Sequence, residues 1–358
     1  MKILINALSG NGDALMFSPL LPLIKKHLPD SQIDMLVMFK SVKEMYEHNP
    51  YLANVYHIEF LKQTKSVSLR QVSNLKRNKY DVSINVYPSN RFEYNFLNYL
   101  LGAKKRMSHS YIHSNFIRAE YLNNIRVPEI KDRHNVLQNF DLVNKIISAS
   151  EDEIGSMEIF LSNEDDERAR EWIKQANPQN KKIIGIHAGS STLKNHIHKR
   201  WDKNKYAELC NSLINKHNSI ILLFGNEFDL NNEISRMLNG QGIIASTDNY
   251  MDSMARLKYC NYFISNDTAF LHSAAAFKIP TVAIFAYTNW KELYPWKCHH
   301  EIVRLDLNCS PCFYNSPKPV ECIWQGSDEF KCINNISVKK VYEAFLRLES
   351  SNSENPTQ

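Results

Sequence analysis

Residues 260–288 read CNYFISNDTAFLHSAAAFKIPTVAIFAYT. Tyr262 to Ser265 is a short apolar run suited to a buried strand, and Asn266-Asp267-Thr268 supplies the small polar side chains that open helices. Ala269 to Phe277 is small and helix-forming, Lys278-Ile279-Pro280 ends the helix, and Thr281 to Phe285 is apolar again. Strand, helix and strand in so short a span form one right-handed βαβ unit, so the fold class is α/β with a parallel sheet.

The start of that helix is where chemistry is expected. Free backbone N–H groups and the positive end of the helix dipole favour a phosphate. A carboxylate there, Asp267, competes with an anion unless it binds something else. Thr268 offers a hydroxyl, and His272 lies one turn further along on roughly the same face. The simpler reading makes Asp267 and Thr268 helix caps and His272 a buried imidazole with its hydrogen bonds made.

The N-terminal half repeats the pattern. Lys2 to Ala7 reads as a strand, Leu8 to Asp13 as a glycine-containing loop, and Leu20, Leu21, Leu23, Ile24 and Leu28 mark a helix before the strand Ile33 to Met38. Gly10-Asn11-Gly12 invites a dinucleotide fingerprint, but its third glycine position holds Leu15. The loop instead carries Asp13, at the carboxyl edge of a parallel sheet where open α/β folds bind ligands. Its simpler reading is a helix cap. Tyr80 to Val86, Arg91 to Leu101, Lys104 to Met107 and Arg133 to Ile147 continue as strand, helix, strand and helix.

After the amphipathic helix Asn163 to Asn177, the polar stretch Asn177 to Lys182 reads as a linker, and a second α/β series starts at Lys181 to His187. The expected organisation is a first Rossmann-like domain over 1–177 and a second over 178–335, containing a cysteine-rich loop at 308–333. A C-terminal helix over 336–349 is expected to pack back on the first domain, followed by a disordered tail at 350–358. Two such halves suit the joining of two substrates across a cleft.

With 358 residues, two cores are the default. A net charge of +5 suits an anionic ligand or membrane surface, and the absence of a basic run interleaved with aromatics argues against nucleic acid. The opening MKILINALSGNGD lacks a signal-peptide core and no run of 18 apolar residues occurs, so the expected location is the cytoplasm, with peripheral contact at the inner membrane face.

Four stretches, GNGDALMFSPLLPLIKKHLP, IHAGSSTLKNHIHKRWDKNKYAEL, LLFGNEFD and SNDTAFLHSAAAFKIPTVAIFAYT, occur in an order that resembles the heptosyltransferases, glycosyltransferase family 9. RHNVLQNFDLV and the last helix extend the likeness over nearly the whole chain. The resemblance implies a GT-B architecture and an enzyme that transfers heptose, with inversion, from an ADP-heptose donor to a lipopolysaccharide core or related glycan. It implies Asp13 as general base and Lys199 as the cation on the donor diphosphate, aided by Ser190 and Ser191. Asp267, Thr268, Ala269, Phe270 and His272 match the loop that holds the sugar nucleotide, and Glu227 or Asp229 is assigned to the ribose. Gly12, Arg91, Lys104 and Arg106 are candidates for the acceptor, the last three together with Lys105 as partners for its anionic groups or as a solvated face. Positive charge at the leaving group and a base at the incoming hydroxyl are what the displacement needs, so no metal cofactor is required for transfer. Ala269 stands where the family usually has glycine, and Thr192 to His198 lengthens the phosphate loop with His196 and His198. Two alternatives stay open: transfer to protein by the same chemistry, and a nucleotide-sugar-binding protein without turnover.

Cys309, Cys312, Cys322 and Cys332 place four thiols within 24 residues. In a reducing compartment they are either a structural zinc or iron site or ordinary small buried residues. A metal with four protein ligands would pin the loop and leave no open position for catalysis.

Overall fold

The first six strands form one parallel sheet: β1 (Lys2–Ala7), β2 (Gln32–Val37), β3 (Asn54–His57), β4 (Val82–Asn85), β5 (Lys105–Ser110) and β6 (Ile125–Pro128), in the order β3-β2-β1-β4-β5-β6. The next six form another: β7 (Lys182–His187), β8 (Ser219–Leu223), β9 (Gly242–Ile244), β10 (Tyr262–Asn266), β11 (Thr281–Ile284) and β12 (His300–Val303), in the order β12-β11-β10-β7-β8-β9. Read from β9, the second order repeats the first, and both are the doubly wound order whose switch point lies beside the first strand. The computed structural model describes residues 1–314 and 318–354.

The central strands read as unbroken apolar runs because helices cover both faces of a parallel sheet. Ile3, Leu4 and Ile5 of β1 and Ile184 and Ile186 of β7 are fully buried. The outer strands β3, β6 and β12 are four residues long and half exposed, and the sequence pattern alone does not mark them.

The chain divides into two units, Met1–Phe160 and Leu161 onward. The division lies before the expected boundary at 177, because the Asn163–Ala176 helix belongs to the second unit. It opens with a capping box in which the Asp165 N–H donates to Ser162 Oγ at 3.0 Å. It then packs on the Tyr250–Leu257 helix, with Arg168 reaching Asp252 at 2.9 Å and Arg256 lying 4.2 Å over Trp172. The presumed linker is a tight turn closed by Asn177, whose amide donates to the Lys181 carbonyl at 2.8 Å and accepts from its N–H at 2.9 Å.

The last helix runs Val338–Glu354, so residues 350–354 are helical rather than a disordered tail. Positions 355–358 lie outside the described residues. Its apolar face does not serve the first domain as expected: Val341, Ala344, Phe345 and Leu348 are fully buried in the same core cluster as Ile184, Trp201 and Val282 of the second unit. Among the described residues no helix is long and apolar enough to cross a membrane.

Candidate functional site

In the second unit the loops after β7, β8, β10 and β11 meet at the carboxyl edge of the sheet, at the switch between β7 and β10. Asn266, the last residue of β10, staples them together. Its amide donates to the carbonyls of Ala188 and Gly189 at 2.9 and 3.1 Å, and its Oδ1 accepts from the Trp201 N–H and the Tyr206 hydroxyl at 3.1 and 3.0 Å. A fully buried amide with these partners fixes the loop after β7 against the start of the next helix.

Asp267 and Thr268 do not cap the Ala269–Ala276 helix with their side chains. Asp267 Oδ2 lies 3.0 Å from Lys199 Nζ and accepts from Thr288 Oγ1 at 2.8 Å, while Thr268 Oγ1 pairs with His187 Nδ1 at 2.8 Å. Burial works to raise the Asp267 carboxyl, but Lys199, His272 and the Thr288 hydroxyl outweigh it and hold it below its ordinary value. Burial lowers the His272 imidazole to about 4, so at neutral pH it carries no charge and Lys199 does most to keep the carboxylate ionised. His272 is buried and among the described residues its Nδ1 has no hydrogen-bond partner, so the expectation of a fully satisfied imidazole does not hold.

A second charged group surrounds Glu227. Its carboxylate lies 3.3 Å from Arg200 Nη2 and 3.6 Å from His187 Nε2, the latter an electrostatic contact beyond hydrogen-bond length. Burial opposes its ionisation; His187 and Arg200 prevail and lower its pKa. Two glycines make the space: a Cβ on Gly189 would overlap the Glu227 carboxylate, and one on Gly225, where φ is +106°, would stand 2.6 Å from it. Asp229, by contrast, is exposed in the first turn of the Phe228–Met237 helix, so of the two ribose candidates only Glu227 joins the cluster.

The other donor candidates divide. Ser190 is buried with its hydroxyl donating to the His196 carbonyl at 2.8 Å and accepting from Arg200 at 3.3 Å. Ser191 is exposed and accepts from the Leu193 N–H at 3.1 Å. Phe270 packs on His187 with ring centroids 4.5 Å apart, and Ala269 is the half-buried first residue of its helix. The lengthened loop leans on the cysteine-rich segment: His196 meets Phe313 edge-on at 4.9 Å, His198 stacks on Phe330 at 4.0 Å, and the Lys194 carbonyl accepts from the Val320 N–H at 3.0 Å. His196 also pairs with the hydroxyl of Tyr287, past β11, at 3.0 Å.

In the first unit Asp13 is no cap either. It is the third residue of the short Asn11–Leu15 helix after β1, whose N-cap is Gly10, and Gly12 spends its carbonyl on the Met16 N–H. Tyr94 feels both Asp13 and Arg91, whose guanidinium lies 6.0 Å over its ring, and its hydroxyl donates to the Leu8 carbonyl at 3.2 Å. Arg91 therefore belongs to the Asp13 neighbourhood. Lys104 and Arg106 do not: they flank the amino-terminal end of β5, the opposite edge of a parallel sheet, where Lys104 pairs with Asp81 at 2.8 Å and Arg106 donates to the carbonyls of Leu122 and Ala103. Beneath Asp13, Asn6, Asn85, Asn95, Asn98 and Asn123 form a buried amide network, with Asn6 donating to Asn85 and Asn98 at 3.1 and 3.0 Å. Sequence reasoning missed that network, and also His187, Arg200, Asn266 and Thr288. For His187, Asn266 and Thr288 the signal was position, at or just past the end of a central strand; Arg200, beyond the lengthened loop, carried no such signal.

Two Rossmann-like units with this strand order are the architecture of the GT-B glycosyltransferases, which the structural neighbours share. The chain belongs to glycosyltransferase family 9 (heptosyltransferase), whose family model matches residues 68–322, and it is accordingly a glycosyltransferase. A lipooligosaccharide heptosyltransferase 2 of Campylobacter jejuni is 26% identical over 355 residues, spanning 96% of this chain and 97% of that one. The crystal structure of a family 9 glycosyl transferase from Veillonella parvula superposes with a TM-score of 0.77 at 18% identity, covering 98% and 97% of the two chains. The ADP-heptose lps heptosyltransferase II of E. coli gives 0.73 at 18% identity, covering 99% and 100%.

Proposed function

We propose that the protein transfers heptose from ADP-heptose to a lipopolysaccharide-type core glycan, with inversion at the anomeric carbon and Asp13 as the base. The observation that carries the donor half is the buried Lys199–Asp267 pair at 3.0 Å beside a helix start whose side chains are not used as caps. Lys199 and the helix N-terminus would take the charge developing on the departing diphosphate, and Glu227 at the end of β8 would accept from the ribose hydroxyls. Asp13, in the first turn after β1, would accept the proton of the acceptor hydroxyl while the oxygen attacks the anomeric carbon and ADP leaves. The sugar nucleotide is the one named for the E. coli neighbour. The glycan acceptor rests on the Campylobacter jejuni relative, which favours it over protein.

The test is Asp13→Asn. ADP should raise the melting temperature of the variant as much as that of the wild type, because the donor groups are intact. Transfer from ADP-heptose to a heptose-deficient core should fall by roughly 10²- to 10⁴-fold, the usual worth of a general base. Undiminished transfer removes Asp13 from the role, and the lack of any ADP shift in either protein removes the donor assignment.

For the four thiols, we propose a structural zinc or iron site. Cys309, Cys312, Cys322 and Cys332 line one cavity of about 20 Å³ together with Tyr287 and Phe330. The donor set suits a soft or borderline metal. Among the described residues no three His, Cys, Asp or Glu side chains stand close enough to hold a metal as they are, so loading would draw the thiols together. Burial and the neighbouring thiols raise Cys332 to about 11 and raise Cys312, so protons must leave as metal enters.

A further inference from the structure

One side of the first unit exposes a run of large apolar side chains. Phe92, Phe96 and Tyr99 recur at i, i+4 and i+7 along the Phe92–Leu101 helix and are 40–48% exposed, while Asn95, Leu97, Asn98 and Leu101 on its other face are buried. Two turns, Phe116–Arg118 and Glu120–Leu122, lie against this helix and add Phe116, Ile117 and Tyr121, which are 81, 77 and 54% exposed. Phe92 stacks on Phe96 at 5.5 Å and Phe116 on Tyr121 at 4.9 Å. The turns are fastened to the helix: Asn95 donates to the Arg118 carbonyl at 2.8 Å, and Arg106 donates to the Leu122 carbonyl at 2.9 Å while lying 5.6 Å over the Tyr99 ring. These six side chains thus form one apolar face on a rigid backing, of the kind that marks an interaction surface.

The charge around it says what that surface meets. Between residues 91 and 131 the chain carries seven Lys and Arg (Arg91, Lys104, Lys105, Arg106, Arg118, Arg126, Lys131), of which Lys104 is paired with Asp81, against three Glu. Of the three, Glu129 is buried and Glu120 accepts from the Tyr111 N–H at 3.3 Å, which leaves Glu93 as the exposed acid. Aromatic side chains settle at the headgroup level of a bilayer, and flanking Lys and Arg are drawn to anionic lipid phosphates. We propose that this face docks on an anionic lipid surface, with Phe116 and Ile117 entering the headgroup layer and the basic residues meeting the phosphates. A lipid-linked acceptor, as proposed above, would lie in such a surface, but the docking stands without that reading.

The experiment is co-sedimentation of the full chain with phosphatidylcholine vesicles with and without phosphatidylglycerol, for the wild type and for Phe116→Ser/Ile117→Ser. The wild type is expected to bind the phosphatidylglycerol vesicles, less so as salt rises, and the variant to bind at least tenfold more weakly with its melting temperature unchanged. Transfer to a delipidated core acceptor should be equal in the two proteins, so a failure of the transfer reading shows separately. Absence of wild-type binding to anionic vesicles, or equal binding by the variant, overturns the proposal. So does sedimentation velocity in which the substitutions dissociate a dimer while vesicle binding is unmoved, which would assign the face to a second copy of the chain.

Discussion

The Lys199 ammonium lies against the Asp267 carboxylate in a place largely closed to water. Their side chains are 14% and 5% exposed. Removing one partner of such a pair leaves an uncompensated buried charge, whereas neutralising both is far milder. Lys199→Met should therefore lower the unfolding free energy by about 3 kcal/mol in urea titrations, and adding Asp267→Asn should return most of it. Equal losses for the single and double variants would mean that the pair contributes nothing as a pair. His272 gives a second handle. Its folded value of about 4 lies below the value near 6.5 of an unfolded histidine, so the unfolded chain binds the extra proton between the two. Stability should fall as pH drops from about 6.5 to about 4, by about 1.4 kcal/mol per unit for this group, and Asp267, also depressed, adds loss at still lower pH. Thermal melts across that window should show a shallower slope in His272→Gln; an unchanged slope would place the acid sensitivity elsewhere.

At the level of elements, legibility followed burial. The central strands β1, β4, β7, β8, β10 and β11 are buried, their apolar runs are long enough to read, and Asp13 and Asp267 could be named from their places beside them, whereas Lys199 was named through the family resemblance. The outer strands β3, β6 and β12 are half exposed and mix polar with apolar residues, so their sequences look like loops. Roles that depend on partners brought from afar were not legible at all. Asn266 looks like a cap and is a staple, because its partners Trp201 and Tyr206 are 65 and 60 residues away. The cysteine-rich segment is the element on which a prediction turns. It touches the lengthened loop through Phe313, Phe330 and Val320, so a metal there would stiffen the loop that ends at Lys199. Purified protein should carry stoichiometric zinc or iron, and Cys309→Ser/Cys312→Ser should lose both the metal and several degrees of melting temperature. Metal-free wild-type protein with an unaltered melt in the variant would return the thiols to ordinary packing.

On the scale of the whole molecule, each unit has its own sheet and its own buried clusters, and the last helix completes the second. Ligand that binds only the native form of one unit raises that unit's transition. Scanning calorimetry should resolve two transitions, with ADP moving one and leaving the other in place. A single transition that shifts as a whole would show the two units unfolding together. The repeated strand order was visible in the sequence as two restarts of one pattern; the boundary was not, because a turn closed by one asparagine has the composition of a linker.

The pairing of Lys199 with Asp267 also means that the resting enzyme carries its own counterion. Any anion arriving at the lysine must evict or share with a carboxylate tethered 3.0 Å away, which Thr288 helps to hold in place. Stray phosphate, with one weak foothold, loses that contest to a neighbour that never diffuses off. A nucleotide bound as proposed, gripping at Glu227 and along the helix start as well, would bring several footholds at once and so outcompete free phosphate at this lysine.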